Sequence, residues 1–75
     1  MFTVKVISSS SGKPYQGARV AVSFDGFITG GVTNDVRTDS NGEAHFDHDP
    51  RSGKIFVDGK KVFEGWIEGR VVVYV

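Results

Sequence analysis

The chain has no cysteine, which excludes a disulfide framework, a thiolate zinc ribbon and a thiol nucleophile. It also lacks a net charge: 9 basic and 9 acidic residues cancel, leaving no overall attraction for nucleic acid or for an anionic membrane. No apolar run is long enough to span a bilayer. The opening Met1-Phe2-Thr3-Val4-Lys5-Val6 has no basic segment followed by an apolar stretch, so it does not read as a signal peptide. Taken as a complete gene product, the chain is expected in the cytoplasm; taken as an excised domain, its location is open. No stretch of ten residues follows a helical period, and no internal repeat emerges.

What is present is short-range alternation punctuated by turns. Seventy-five residues allow one domain, spanning 1–75, near the lower end of what a single core supports; self-association is therefore expected to help. Phe2, Val4 and Val6 alternate with Thr3, Lys5 and Ile7, predicting a strand over 2–8. Ala18, Val20, Val22 and Phe24 share one face of a second strand, with Arg19, Ala21 and Ser23 on the other. Gly26 and Gly30-Gly31 bracket Phe27-Ile28-Thr29, which is either a wide loop or a short edge strand. Residues 32–38 read as a third strand. Asp39-Ser40-Asn41-Gly42 is a turn, and Glu43 to Phe46 resume the alternation as a hairpin partner of the third strand. Apolar runs flanking Asp58-Gly59, over 54–57 and 60–63, predict a hairpin with a type I′ turn. A β-branched run, Arg70-Val71-Val72-Val73-Tyr74-Val75, suits a buried strand. The pattern predicts an all-β fold, a small Greek-key sandwich of about seven strands.

Two segments carry a resemblance. Gly12-Lys13-Pro14-Tyr15-Gln16-Gly17-Ala18-Arg19-Val20 and Thr38-Asp39-Ser40-Asn41-Gly42-Glu43-Ala44-His45-Phe46 resemble the G-x-P-x-x-G-A-x-V opening and the T-D-x-N-G-x-A-x-F turn of transthyretin-like domains, among them carboxypeptidase regulatory-like domains and collagen-adhesin B-type repeats. Gly53-Lys54-Ile55-Phe56-Val57-Asp58-Gly59 continues the likeness. The resemblance implies an immunoglobulin-like sandwich used for spacing, docking or ligand display. Two chemistries found among such proteins lack their residues here. An isopeptide crosslink from Lys5 has no asparagine to meet in the last strand, and the Tyr-Arg-Gly-Ser ending of the hydroxyisourate hydrolases is absent.

The remaining candidates are few. The acidic stretch 34–49 holds five acidic residues and one basic, a net charge of −4. Within it His45, Asp47 and His48, followed by Asp49, offer imidazole and carboxylate ligands for a transition metal if the strand bends after Phe46. An EF-hand reading of Asp39, Asn41 and Glu43 fails at Arg37, where a ligand is required. No serine has a nucleophile elbow or a base placed by local context, so no catalytic residue, no cofactor and no enzymatic activity are expected. Binding surfaces favour large aromatic side chains, which singles out Tyr15, Phe27, Trp66 and Tyr74. Trp66 with Tyr15 or Tyr74 would suit a sugar ring, a carbohydrate reading. Phe56 and Phe63, on opposite limbs of the Asp58-Gly59 hairpin, would form an apolar outer face for dimerisation. The leading expectation is a non-enzymatic interaction or structural module, docking to a protein partner or to itself as a homodimer, with carbohydrate or another small ligand as the alternative.

Overall fold

Alternation of apolar and polar side chains along each strand leaves one face that must leave water, and two such faces meet here. The computed structural model describes residues 1–25 and 33–75. Its strands are β1 (Phe2–Ile7), β2 (Arg19–Phe24), β3 (Val36–Arg37), β4 (Glu43–Phe46), β5 (Arg51–Val57), β6 (Lys60–Ile67) and β7 (Arg70–Tyr74). They form a three-stranded sheet in the order β4-β1-β7 and a four-stranded sheet in the order β3-β2-β5-β6. Among the described residues there is no helix, and hence none long and apolar enough to cross a membrane.

The core is the sum of the inward positions. Phe2, Val4 and Val6 of β1 face Val20, Val22 and Phe24 of β2, with Ala44, Phe46, Ile55, Val57, Ile67 and Val73 closing the layer. The Phe2 ring stacks on Phe46 with centroids 5.3 Å apart and meets Phe24 edge-on at 6.1 Å. Full burial of a Val or Phe side chain contributes roughly 1.5–3 kcal/mol, so this apolar layer dominates what holds the two sheets together. The alternation predicted for residues 18–24 is the alternation observed.

Pairing departs from the expectation at one corner. β3 pairs with β2, and β4 pairs with β1; they are not hairpin partners, because the chain changes sheet at Asp39–Gly42. Two contacts enforce the crossing. The buried Thr38 hydroxyl donates to the Tyr15 carbonyl at 2.6 Å and accepts from the Ala18 amide at 2.9 Å, tying the end of β3 to the start of β2. Gly42 lies so close to β1 that a Cβ there would stand 2.6 Å from the Val6 carbonyl oxygen, and its φ is +73°. Only glycine fits both the space and the backbone. The predicted third strand is correspondingly shorter: Thr33, Asn34 and Asp35 carry no strand, and its beginning at Val32 lies outside the described residues. So does the segment 27–29, expected as a wide loop or a short edge strand.

The second predicted hairpin forms. Asp58 and Gly59 take φ of 50° and 85°, the two positive values a type I′ turn requires. Its strands run further than predicted, to Arg51 on one side and Ile67 on the other. A register shift between Ile55 and Phe56 bends the ladder near the turn. The last strand differs from its expectation in environment. Among the described residues β7 pairs with β1 alone, in parallel, and so is an edge strand: Val73 is buried and Val71 partly buried, whereas Val72 and Tyr74 are exposed.

Candidate functional site

The acidic turn and the first histidine come together on the outer face of the three-stranded sheet. β4 presents Glu43 and His45 beside Lys5 and Thr3 of β1. Thr3 Oγ1 lies 2.8 Å from His45 Nδ1, and His45 Nε2 lies 3.8 Å from Asp39 Oδ2. The other oxygen of Asp39 accepts from the backbone amides of Asn41 and Glu43 at 2.9 and 3.0 Å. The Glu43 amide chiefly, then the Asn41 amide and the His45 ring, hold the Asp39 carboxyl below the usual range against some desolvation. Glu43 in turn accepts from Arg70 Nη1 at 3.0 Å. One ligand atom from each of Asp39, Glu43 and His45 falls within 4.8 Å of the others. Each of the three already has a protein partner, and the network fastens the turn to β1 and β7.

The predicted ligand set is arranged differently. His45, Asp47 and His48 line one open hollow together with Thr33, Asn34 and Val36. Their donor atoms do not converge, because the His48 ring packs on Phe24 with centroids 5.1 Å apart while His45 turns to Thr3 and Asp39. Among the described residues the converging group is Asp39, Glu43 and His45.

The aromatic candidates are scattered. Ile55 pairs with Phe63 and Phe56 pairs with Lys61; Phe63 therefore faces inward and packs on the core, while Phe56 lies on the outer face in a hollow with Arg19, Ala21 and Ser23. The shared outer face expected of this pair is not formed, since the two side chains point to opposite sides of the sheet. Trp66 is 60% exposed, and its indole N–H donates to Glu68 at 3.4 Å. Tyr15 is 41% exposed and sits at the Ala18 end of β2, whereas Trp66 pairs with Ser52 at the Asp25 end. The seven residue steps from Ala18 to Asp25 span about 23 Å at the rise of an extended strand, so Tyr15 and Trp66 make no joint platform. Phe27 lies outside the described residues.

A continuous feature emerges instead at β7. The bonds at Gly69 O and Val75 N run to Thr3 and Ile7 of β1, and that at Val75 O to Ser9 just beyond it; alternation along a strand then aims the amides and carbonyls of Arg70, Val72 and Tyr74 away from β1. Among the described residues no strand lies on that side. The same edge carries exposed apolar side chains: Val72 is 43%, Tyr74 62% and Val75 39% exposed. Tyr74 and Val75 continue into a hollow shared with Val57 and Val62 and rimmed by Lys60 and Lys61. Composition marked Tyr74 as an aromatic lead, but Val72 and Val75 were missed. A run of β-branched residues reads equally well as buried or as edge strand, and only the neighbours decide.

No protein-family model matches the chain, and neither the curated proteins nor the solved structures provide a match.

Proposed function

We propose that this chain is a non-enzymatic interaction module, a transthyretin-like sandwich of immunoglobulin-like Greek-key type, that docks to protein by accepting an added strand on β7. The observation that carries the reading is a strand edge with no partner among the described residues, bearing an exposed apolar row at Val72, Tyr74 and Val75. Free backbone donors and acceptors give such an edge affinity for any extended segment, while the flanking side chains select among segments.

The test is a titration of isotope-labelled protein with a lysine-flanked peptide of alternating threonine and valine. Amide shifts concentrated at residues 70–75, and abolished by Val72→Pro, support strand addition. Shifts centred on another surface, or none at millimolar peptide, contradict it. A second reading rests on the exposed Trp66 ring, which would stack on a sugar. A glycan panel followed by Trp66 fluorescence tests it, and a flat response to every glycan would remove it.

A further inference from the structure

We propose that the strand accepted by β7 is β7 of a second copy of this chain, running antiparallel about a two-fold axis at Val72. The inference rests on the docking reading and goes further by naming the partner. The edge-facing residues are Arg70, Val72 and Tyr74, spaced evenly about Val72. A two-fold there sets Val72 against Val72 of the second copy, and Arg70 against Tyr74 of the second copy, twice over. Every edge-facing amide and carbonyl then meets a complementary group, giving about six bonds in three hydrogen-bonded pairs. Shifting the register by one residue would set inward-facing backbone groups against outward-facing ones and lose these bonds.

The side chains fit the same operation. A two-fold interface must be complementary to itself, and the three valines 71–73 are apolar and β-branched symmetrically about Val72. On the outer face no like charges meet: the Arg70 guanidinium is already held by Glu43 at 3.0 Å, so its stem and its screened charge lie beside the tyrosine ring, a favoured neighbour for arginine. On the inner face Val71 of one copy stands opposite Val73 of the other, extending the apolar layer in which both already pack. The β4-β1-β7 sheet of each copy continues through the axis into one sheet of twice the width. Pairing also removes the feature that makes an exposed β-branched edge hazardous, because a closed dimer offers no further β7 edge.

Sedimentation velocity from about 20 µM to about 1 mM, a range suited to weak dimers, tests the proposal with Val72→Lys and Val72→Glu. The parent chain is expected to dimerise as concentration rises. Either variant alone places like charges in direct opposition and should raise the dimer dissociation constant at least tenfold; an equimolar mixture of the two should restore a heterodimer. Both substitutions sit on an exposed edge, and circular dichroism checks that each chain stays folded. A measurement needing no variant is the contact between the Val71 and Val73 α-protons of differently labelled copies, which this register brings together. A parent chain that stays monomeric throughout overturns the proposal, as does a dimer indifferent to Val72 or a mixture no better than its components. Binding of the threonine-valine peptide at residues 70–75 without self-association removes the second copy and leaves the docking reading; failure of both removes both.

Discussion

β6 and β7 border the same side of the sandwich, one from each sheet, yet they meet solvent in opposite ways. β6 carries Lys60, Lys61 and Glu64, with Glu68 just beyond it, and its ladder shifts register beside Phe56. Lys61 donates to Glu64 at 3.0 Å, and Lys54 lies 3.9 Å from the same carboxylate. Charge and irregular pairing are the usual means by which a strand edge is kept from recruiting another. β7 has neither: a short regular strand, one arginine at its start already engaged by Glu43, and Val72, Tyr74 and Val75 exposed. The contrast teaches that this chain has the means to protect an edge and does not apply them at β7.

The largest expected effect falls on what both edges share. Phe2→Ala removes the ring between Phe24 and Phe46 and should cost about 3–5 kcal/mol, a large part of the roughly 5–15 kcal/mol typical of a folded domain. Chemical denaturation should show a chain largely unfolded, with both edges lost together. Retention of near-parental stability would mean that the ring is not central to the core.

Next in size is a change at the opposite corner. Thr38→Val keeps the volume but leaves the Ala18 amide without its 2.9 Å acceptor, at a cost of about 1–3 kcal/mol. Because this site lies on the β3–β4 side, denaturation midpoints should fall while self-association through β7 is unchanged. A loss of association at matched folded fraction would tie the two sides together and break the comparison.

A smaller effect on stability, but a direct one on the edges, is expected from unguarding β6. Lys61→Val with Glu64→Val removes the exposed ion pairs of Glu64 with Lys61 and Lys54, which contribute little to stability in water, and should give the chain a second associating edge, seen as species larger than a dimer in light scattering. If the double variant behaves as the parent does, charge is not what keeps β6 apart.

The smallest effect is acid. Lys61, by hydrogen bond and by charge, then Lys54, hold the Glu64 carboxyl below its ordinary range, and the Asp39 carboxyl is lowered likewise by the Glu43 amide. A depressed carboxyl stabilises the fold above its unfolded value, about 4, and that contribution is lost as pH falls through the lowered folded value. Melting temperature should therefore be insensitive to these groups near neutrality and decline below about pH 4, with Asp39→Asn and Glu64→Gln each flattening part of the decline.

How far the residues alone reveal this differs from one element to the next. The alternation of Ala18 to Phe24, the core rings of Phe2, Phe24 and Phe46, and the Asp58-Gly59 turn were legible because each depends on neighbours in the chain. The Asp39–Gly42 corner was legible as a turn but not as a change of sheet: what sends it across is a long-range contact, Thr38 on Tyr15 and Ala18, and Gly42 against Val6. A regular hairpin would put Phe56 and Phe63 on one face; the register shift beside Phe56 separates them. His45 does lie in an acidic cluster, but its converging neighbours there are Asp39 and Glu43 rather than Asp47 and His48. The open edge of β7 was the least legible, since a strand's exposure depends on which strands the fold leaves out.

Amide hydrogen exchange measured residue by residue at two concentrations tests the central claim most directly. At low concentration Val71 and Val73 should be protected by β1, while Arg70, Val72 and Tyr74 exchange rapidly. Raising the concentration should slow exchange at Arg70, Val72 and Tyr74 together and leave the outward amides of β6 unchanged. Rates at Val72 and Tyr74 that do not move with concentration, or protection gained at β6 instead, would contradict the account.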